Sequence, residues 1–241
     1  MGGRASHDFE LIRDSLAIAF LTGKIVRTLK IEVKMNPGEQ SADDMDTALL
    51  SQLARSWQGL VKSDCPADWL ELLPELDFDH PDRCLEPQSL PVLEYLPRLS
   101  SMATTAYRGI IDGLIQAQSN LRFGQTYSET DFGVEFLRQY GWIKILGPDA
   151  YWHSDQLASG FLILGDNVTY PQHWHQAEEI YLPISGNAEW YRQDRGWQKQ
   201  SAGSLIHHAS KVKHATRTIG EPLIALYLWR GGDLNQKSDI Q

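Results

Sequence analysis

The amino-acid sequence predicts a mainly β protein with an α-helical N-terminal region, in which a helical part over residues 1–122 packs on a β-barrel over residues 123–241. Two observations lead to this prediction. Before about residue 120, apolar residues recur at intervals of three and four, the period of a helix with one buried face. From Phe123 onward, short apolar or alternating runs are separated by turn residues and 17 of the 24 aromatic residues occur, which is typical of an all-β barrel.

Four helices are predicted in the N-terminal part. The first has its apolar face at Leu11, Ile12, Leu16 and Ala19. The second begins at Ser41 or Asp43 as N-cap and buries Leu49, Leu50, Leu53, Trp57 and Leu60. A short third helix, Ala67 to Leu73, lies inside an acidic, proline-containing connection over residues 64–86. The fourth covers Ser100 to Gln118 and has the apolar stripe Tyr107, Ile110, Ile111, Leu114 and Ile115.

The barrel prediction depends on segments of strand length and strand composition. These segments are Trp142 to Leu146, Phe161 to Leu164, Glu179 to Ile184, Ala188 to Arg192, Ser204 to His207 and Leu223 to Trp229. Turn residues such as Gly165-Asp166 and Ser185-Gly186-Asn187 separate them. Many short strands in succession favour a sandwich or barrel over alternating strand and helix units.

Composition excludes several classes of function. The net charge of -9, without a cluster of Lys and Arg, argues against nucleic-acid binding, which requires a basic surface. The longest apolar runs, Leu16 to Leu21 and Leu223 to Trp229, are far shorter than the roughly 20 residues that span a bilayer. Asp8, Glu10 and Asp14 precede the first run, where a secretory signal would carry positive charge. We therefore expect a cytoplasmic protein with no membrane association.

The spacing of the histidines predicts a metal site. His173 and His175 are two residues apart, so both side chains project from one face of a strand. Glu179 and Tyr181 repeat this spacing on the next strand. A third imidazole comes from His214 or from its rival His208.

Three neutral imidazoles and one carboxylate suit one divalent metal ion, and Zn, Fe, Mn, Co and Ni all accept such ligands. Because these ions accept further ligands, coordination positions stay open for a substrate. The predicted ligand set is His173, His175, Glu179 and His214.

These residues also resemble a known family. The first cupin motif is similar to the pattern of Gly165, His173, His175, Glu179 and Gly186, and the second is similar to Gly203 followed by His214. Seven residues rather than the usual five separate Gly165 from His173, and Ala209 and Lys211 replace the usual Pro and Gly of the second motif. The run from Tyr170 to Tyr191, behind a helical region, more specifically resembles the cupin-type dimethylsulfoniopropionate lyases.

The resemblance implies a cupin (double-stranded β-helix, or jelly-roll) barrel and a metal-dependent carbon–sulfur lyase. Such an enzyme cleaves dimethylsulfoniopropionate by β-elimination to dimethyl sulfide and acrylate. By position, Tyr181 matches the family's catalytic tyrosine, and Tyr170 matches a second active-site tyrosine. The expected partner is a small sulfonium carboxylate, and the oligomeric state is left open, with a homodimer among the alternatives.

A sulfonium group has no hydrogen-bond donors, so aromatic faces are its best ligands. The aromatic residues that we expect to be available for such a cage are Trp174, Trp190, Tyr191, Tyr227 and Trp229.

Two other functions fit the same predicted site. An open site with three imidazoles and a carboxylate also serves a cupin Fe(II) dioxygenase or isomerase. A non-catalytic, metal-dependent cupin that binds a small ligand is the third interpretation, and it assigns no role to Tyr181.

Overall fold

The computed structural model describes residues 42–240. The predicted first helix, with Leu11, Ile12, Leu16 and Ala19, lies outside the described residues.

The described part of the N-terminal region is helical. Its helices, with one more in the barrel region, are α1 (Ala42–Asp64), α2 (Ala67–Leu70), α3 (Leu96–Met102), α4 (Thr105–Ala117) and α5 (Glu129–Arg138). On α1 the predicted residues Leu53, Trp57 and Leu60 are buried, and Leu49 and Leu50 are partly buried against the same core. The predicted helix from Ala67 to Leu73 ends three residues earlier, at Leu70.

The prediction of one continuous helix from Ser100 to Gln118 is wrong. The backbone is extended at Ala103 and Thr104, with ψ angles of 145° and 162°, so the chain forms α3 and then α4. The Arg108 guanidinium stabilises the break, because it donates to the backbone oxygens of Ser100 (3.2 Å) and Ala103 (3.0 Å) at the end of α3. The last carbonyl groups of a helix lack donors from a following turn, and the Arg108 guanidinium supplies a donor to the oxygens of Ser100 and Ala103.

Helix α5 was not predicted, although the sequence contains its start signal. Ser128 and Asp131 form a capping box: the backbone N–H of Ser128 donates to the Asp131 carboxylate at 2.7 Å. Inside α5, Gly133 adopts a φ of +80° and kinks the helix. A side chain other than glycine would be strained in this conformation.

The strands form two antiparallel sheets, as the predicted barrel requires. The strands are β1 (Phe123–Gly124), β2 (Tyr140–Leu146), β3 (Leu157–Leu164), β4 (Thr169–Trp174), β5 (Glu178–Ser185), β6 (Ala188–Arg192), β7 (Gly196–Gln200), β8 (Ile206–His208), β9 (His214–Thr218), β10 (Leu223–Arg230) and β11 (Asp239–Ile240). One sheet has the strand order β1-β2-β3-β10-β5-β8, and the other has the order β11-β4-β9-β6-β7. The mainly β architecture with N-terminal helices is thereby confirmed.

The six-stranded sheet is apolar on both faces because each face is covered by a different layer. On β10, Ile224, Leu226 and Leu228 belong to the core that contains the helices, whereas Leu223 and Ala225 belong to a second core inside the barrel. Alternate residues of a strand point to opposite faces. This explains why the sequence reads as a nearly continuous apolar run from Leu223 to Leu228 rather than as an alternating one.

Helix α1 is joined to the barrel by a buried polar contact. The Trp57 indole N–H donates to Ser159 Oγ on β3 at 3.0 Å, and Ser159 Oγ donates to the backbone oxygen of Tyr227 on β10 at 2.7 Å. Trp57 and Ser159 are fully buried. The contact fixes α1 against the two strands that lie beneath it.

No helix within residues 42–240 combines the length and apolar character that crossing a bilayer requires.

We expect Trp57→Ala to lower the free energy of unfolding by about 3–5 kcal/mol, because it leaves a large cavity between α1 and β3. Trp57→Phe keeps most of the volume and loses the hydrogen bond, so a loss of about 1–2 kcal/mol is expected. Chemical denaturation measures both values. The control Trp197→Ala, at a side chain that is 38% exposed, should cost less than about 1 kcal/mol. Equal losses for Trp57→Ala and Trp197→Ala would contradict the role of Trp57.

Candidate metal centre

Three imidazoles converge inside the barrel, on the five-stranded sheet. His173 is on β4 and is paired directly with His214 on β9, and His175 follows the end of β4. Ring nitrogens of His173, His175 and His214 lie within 4.8 Å of one another, and all three side chains are buried. The two-residue spacing of His173 and His175 thus places both rings on the inner face.

The backbone fixes the orientation of each imidazole. Each Nδ1 lies 2.8 Å from a carbonyl oxygen: Pro171 for His173, Ala177 for His175 and Val212 for His214. A carbonyl accepts a hydrogen bond and cannot donate one, so in each ring Nδ1 carries the proton. The Nε2 lone pairs are therefore available to a ligand, which is the arrangement that metal-binding histidines use.

Glu179 adds a carboxylate from the opposite sheet. It lies on β5 and is completely buried, and its Oε2 is 3.2 Å from Nε2 of His175 and 3.2 Å from Nε2 of His214. The Trp229 indole N–H donates to the other oxygen, Oε1, at 2.5 Å. Burial by itself would raise the pKa of Glu179, but positive charge on the His175 and His214 imidazoles outweighs burial and holds the pKa well below its usual range; with neutral rings, a cation held at the same place would act in the same direction.

These contacts fit a cation. With Nδ1 protonated, the Nε2 lone pairs of His175 and His214 face Oε2 of Glu179. Without a cation these atoms repel one another, and with a positive ion between them all three are attracted to the ion. Ligand atoms that share an ion at about 2.0–2.2 Å lie roughly 3 Å apart, close to the observed 3.2 Å. Burial and the His214 imidazole also lower the pKa of His173 well below its usual value, so that ring is neutral and ready to bind a metal. The three-histidine site with Glu179 therefore suits a divalent metal ion.

His208, the rival of His214, lies beside this group and outside it. It is on β8, directly opposite Glu179 on β5, and its ring stacks on that of His214 with centroids 4.1 Å apart. The group of imidazoles within metal-binding distance contains His214 and not His208. The structure thus favours His214 as the third imidazole ligand.

Both predicted catalytic tyrosines face the interior near the metal centre. Tyr181 is buried on β5, and burial followed by the charge of Glu179 raises its pKa well above the usual value. Tyr170 stacks on the His173 ring at 4.1 Å, and its hydroxyl lies 3.0 Å from that of Tyr127. An irregularity in the β4–β9 pairing between Tyr170 and His173 lets residues that are out of strand phase share the inner face. Burial raises the pKa of Tyr170 well above its usual value as well.

A cavity of about 280 Å³ opens beside this group, and Glu179, Tyr181 and Tyr170 form part of its wall. Of the five residues of the predicted aromatic cage, Tyr227 and Trp229 line the cavity. The Trp229 ring also packs on His175, with centroids 4.0 Å apart. The remainder of the wall comes from β2, β3, the segment over residues 234–238 that precedes β11, and the loop residues Thr126 and Asp149.

The other three residues of the predicted cage do not line this cavity. Trp174 alternates with His173 and projects outward, where Lys213 Nζ lies 4.7 Å from its ring. Tyr191 also faces outward and packs on Trp197 at 5.5 Å. Trp190 is inside the barrel, 4.9 Å from Tyr181.

Two aromatic residues that the sequence analysis missed line the cavity: Tyr140 and Trp142 on β2. The same face of β2 presents Lys144 to the cavity. The two-residue spacing of Tyr140 and Trp142 is visible in the sequence and predicts that both side chains share one face of a strand. Tyr140 was missed because the predicted strand begins at Trp142, whereas β2 begins at Tyr140. Tyr127, which contacts Tyr170, lies in the loop before α5 and has no such signal.

Comparisons with known proteins agree with this geometry. A family model described as dimethylsulfoniopropionate lyase matches residues 68–225. The chain is 32% identical over 145 residues to dimethylsulfoniopropionate lyase DddQ of Ruegeria pomeroyi, which covers 60% of this chain and 72% of that protein. It is 27% identical over 227 residues to putative dimethylsulfoniopropionate lyase DddL of Cereibacter sphaeroides, covering 78% and 93%.

Solved structures are similar over most of the described fold. The crystal structure of DddQ from Ruegeria pomeroyi has a TM-score of 0.72 at 28% identity and covers 80% of this chain and 96% of that one. A chain from the crystal structures of the lyases RdDddP and RnDddQII has a TM-score of 0.73 at 24% identity, a likeness of fold, and covers 81% and 99%. The predicted barrel is the fold of these proteins.

We expect His214→Ala to weaken the binding of Zn²⁺ by at least about a hundredfold, because it removes one of the converging donors. His208→Ala should leave the affinity within about threefold, because His208 lies outside the donor group. Competition with a chromophoric chelator measures both affinities. If the two losses were exchanged, His208 would be the ligand and His214 its neighbour.

Proposed function

The chain belongs to the dimethylsulfoniopropionate lyase family, and on this premise we propose that it is a metal-dependent carbon–sulfur lyase that converts dimethylsulfoniopropionate to dimethyl sulfide and acrylate. One observation supports this function above the others. The buried imidazoles of His173, His175 and His214 converge beside Glu179, and Glu179 lines a cavity with aromatic sides together with Tyr170 and Tyr181.

The reaction has defined requirements. A proton leaves the carbon next to the substrate carboxylate, the electron pair of that C–H bond forms a carbon–carbon double bond, and the C–S bond breaks with its electrons on sulfur. The products are acrylate, dimethyl sulfide and one proton. The site must therefore hold a carboxylate, supply a base and accommodate a positively charged leaving group.

His173, His175, Glu179 and His214 are the residues that would hold the metal ion. When bound, a divalent ion supplies Lewis-acid stabilisation of the negative charge that develops on the carboxylate side of the substrate. Glu179 is held for this task by the Trp229 N–H on Oε1, which leaves Oε2 facing the imidazoles.

Tyr181 is the proposed base. Its own protein environment favours the neutral phenol, since burial and the Glu179 carboxylate both raise its pKa. A phenolate at neutral pH thus requires a compensating positive charge close by. This chain would hold such a charge between the three imidazoles and Glu179, and Glu179 is two residues from Tyr181 along β5. Tyr170, bonded to Tyr127, is the proposed helper that orients the substrate or shares the proton.

Aromatic faces at the cavity wall fit the sulfonium group. Tyr227 and Trp229 on β10, together with Tyr140 and Trp142 on β2, line the cavity from the two strands that flank β3 in the six-stranded sheet. Each aromatic face near a cation contributes about 0.5–2 kcal/mol, and the larger value applies to a desolvated site. Neutral dimethyl sulfide loses this attraction, which favours its release after the C–S bond breaks.

The purified protein supplied with Zn²⁺ or Mn²⁺ is expected to release dimethyl sulfide and acrylate from dimethylsulfoniopropionate, and a chelator should stop the release. Gas chromatography of the headspace, with acrylate measured in solution, tests this. Metal-loaded protein that binds the substrate without consuming it would support a ligand-binding cupin, and consumption of oxygen without dimethyl sulfide would support a dioxygenase.

Tyr181→Phe should reduce kcat by about 10²–10⁴-fold, because it removes the base and retains the ring. Metal affinity, measured by competition with a chelator, should stay at the level of the parent protein, since Tyr181 is not a proposed ligand. Tyr191→Phe is the matched control, because that hydroxyl lies on the outer face of the barrel. Full turnover by Tyr181→Phe would exclude Tyr181 as the base.

A further inference from the structure

The barrel interior contains buried N–H groups that the described residues do not satisfy. Among residues 42–240, side-chain atoms that are buried without a hydrogen-bond partner include Trp190 Nε1 and both ring nitrogens of His208. Trp190 is 3% exposed and His208 is 1% exposed. His214 Nε2 is also unpartnered, but the metal site accounts for it. Because an unpaired buried polar group is costly, these side chains indicate a bound group that accepts hydrogen bonds.

Both side chains lie next to the proposed base, and each comes from a different sheet. Trp190, on β6, has its ring 4.9 Å from that of Tyr181. His208, on β8, has its ring 6.1 Å from Tyr181. His208 lies on the flank of β5 away from β10, because β5 pairs with β10 on one side and with β8 on the other. Tyr181 lines the aromatic cavity and has both side chains as ring neighbours, whereas Trp190 and His208 are not among the residues that line that cavity.

The chemistry of this pair suits an oxygen acceptor. An indole N–H can only donate. An imidazole carries at least one N–H donor, and neither ring nitrogen of His208 has a partner among the described residues. Two N–H donors attract a carboxylate, whereas a sulfonium group offers them neither a lone pair nor negative charge.

We propose that Trp190 and His208 form a carboxylate subsite, which binds the carboxylate end of the substrate beside Tyr181 while the sulfonium end occupies the aromatic cavity. This assignment rests on the proposed lyase function. It places the carbon next to the carboxylate near Tyr181, where the proton must be removed. It also changes the role of Trp190 from a cage face for the cation to a donor for the anion.

Other cationic side chains near the interior are already paired. Lys144 Nζ, at the cavity wall, lies 2.5 Å from Asp149 Oδ1, and Lys237 Nζ lies 2.7 Å from Asp131 Oδ2. Arg192, on the same flank as His208, donates to the Asp194 carboxylate at 2.6 and 2.9 Å. If the substrate carboxylate binds to Trp190 and His208, the ion pairs of Lys144, Lys237 and Arg192 stay intact.

Two probes separate the two ends of the substrate: acrylate has only the carboxylate, and trimethylsulfonium has only the cation. Isothermal titration of the Zn²⁺-loaded protein measures the affinity of each. Trp190→Phe keeps the aromatic ring and removes the N–H, so it should weaken acrylate binding about tenfold and leave trimethylsulfonium binding within about twofold. His208→Phe should act in the same direction, and His208→Gln, which retains a donor, should recover part of the loss.

Trp197→Phe, on the outer face, is the control and should bind both probes like the parent. With dimethylsulfoniopropionate itself, Trp190→Phe should raise KM more than it lowers kcat, because the subsite binds ground and transition states alike. Since Trp190→Phe is a small change in the core, its result decides the question if His208→Phe fails to fold.

Unchanged acrylate affinity in Trp190→Phe would overturn the proposal, as would a loss of trimethylsulfonium binding in place of acrylate binding. Failure of the proposed function is recognised separately. In that case the parent protein would release no dimethyl sulfide, whereas acrylate binding and its dependence on the Trp190 N–H would still be measurable.

Discussion

A completely buried carboxylate, Glu179, is the constraint on which the rest of the site depends. An ionised carboxylate in an apolar interior is unstable unless each oxygen has a partner. Here Oε1 accepts from the Trp229 indole, and Oε2 faces the Nε2 atoms of His175 and His214, where a cation held by these rings would neutralise it. Trp229 and Glu179 belong to the six-stranded sheet, and the imidazoles belong to the other, so the two sheets must close at a fixed separation for the carboxylate to be stabilised. The metal centre and the closure of the barrel are therefore parts of one arrangement.

The helical layer supports this arrangement from behind. Because strand residues alternate between faces, β5 and β10 present Ile180, Leu182 and Leu226 to the helices while they present Glu179, Tyr181 and Tyr227 to the interior. The bond from Trp57 to Ser159, and from Ser159 to the backbone of Tyr227, links α1 to the strand that lines the cavity. Side chains held on rigid, doubly packed strands keep their positions better than side chains on loops. The N-terminal helices thus support the sheet that carries Tyr181, the proposed base, and Glu179, the proposed carboxylate ligand.

Short-range patterns predicted the parts of the site that lie on regular strands. The period of two placed His173 with His175 and Glu179 with Tyr181, and the structure has both pairs on inner faces. Applied consistently, the same rule would have excluded Trp174, which alternates with His173, and would have included Tyr140 with Trp142. What could not be read from periodicity depends on tertiary contacts. Tyr170 shares the inner face with His173 because of an irregular pairing with β9, and the α3–α4 break depends on Arg108 reaching back to two carbonyls.

Tyr181 shows why the metal site and the proposed base must work together. Burial and the adjacent Glu179 carboxylate both disfavour a phenolate at Tyr181, so the protein's own groups oppose the protonation state that a base requires. The same carboxylate, with imidazoles whose lone pairs are directed toward it, forms the group of donors that suits a divalent cation. Glu179 would therefore have opposite effects without and with a bound ion: alone it opposes ionisation of Tyr181, and as the proposed ligand it would hold the positive charge that favours the phenolate. In the proposed function, Tyr181 would be ionised only when the metal ion is bound, which would couple proton removal to stabilisation of the charge that it creates.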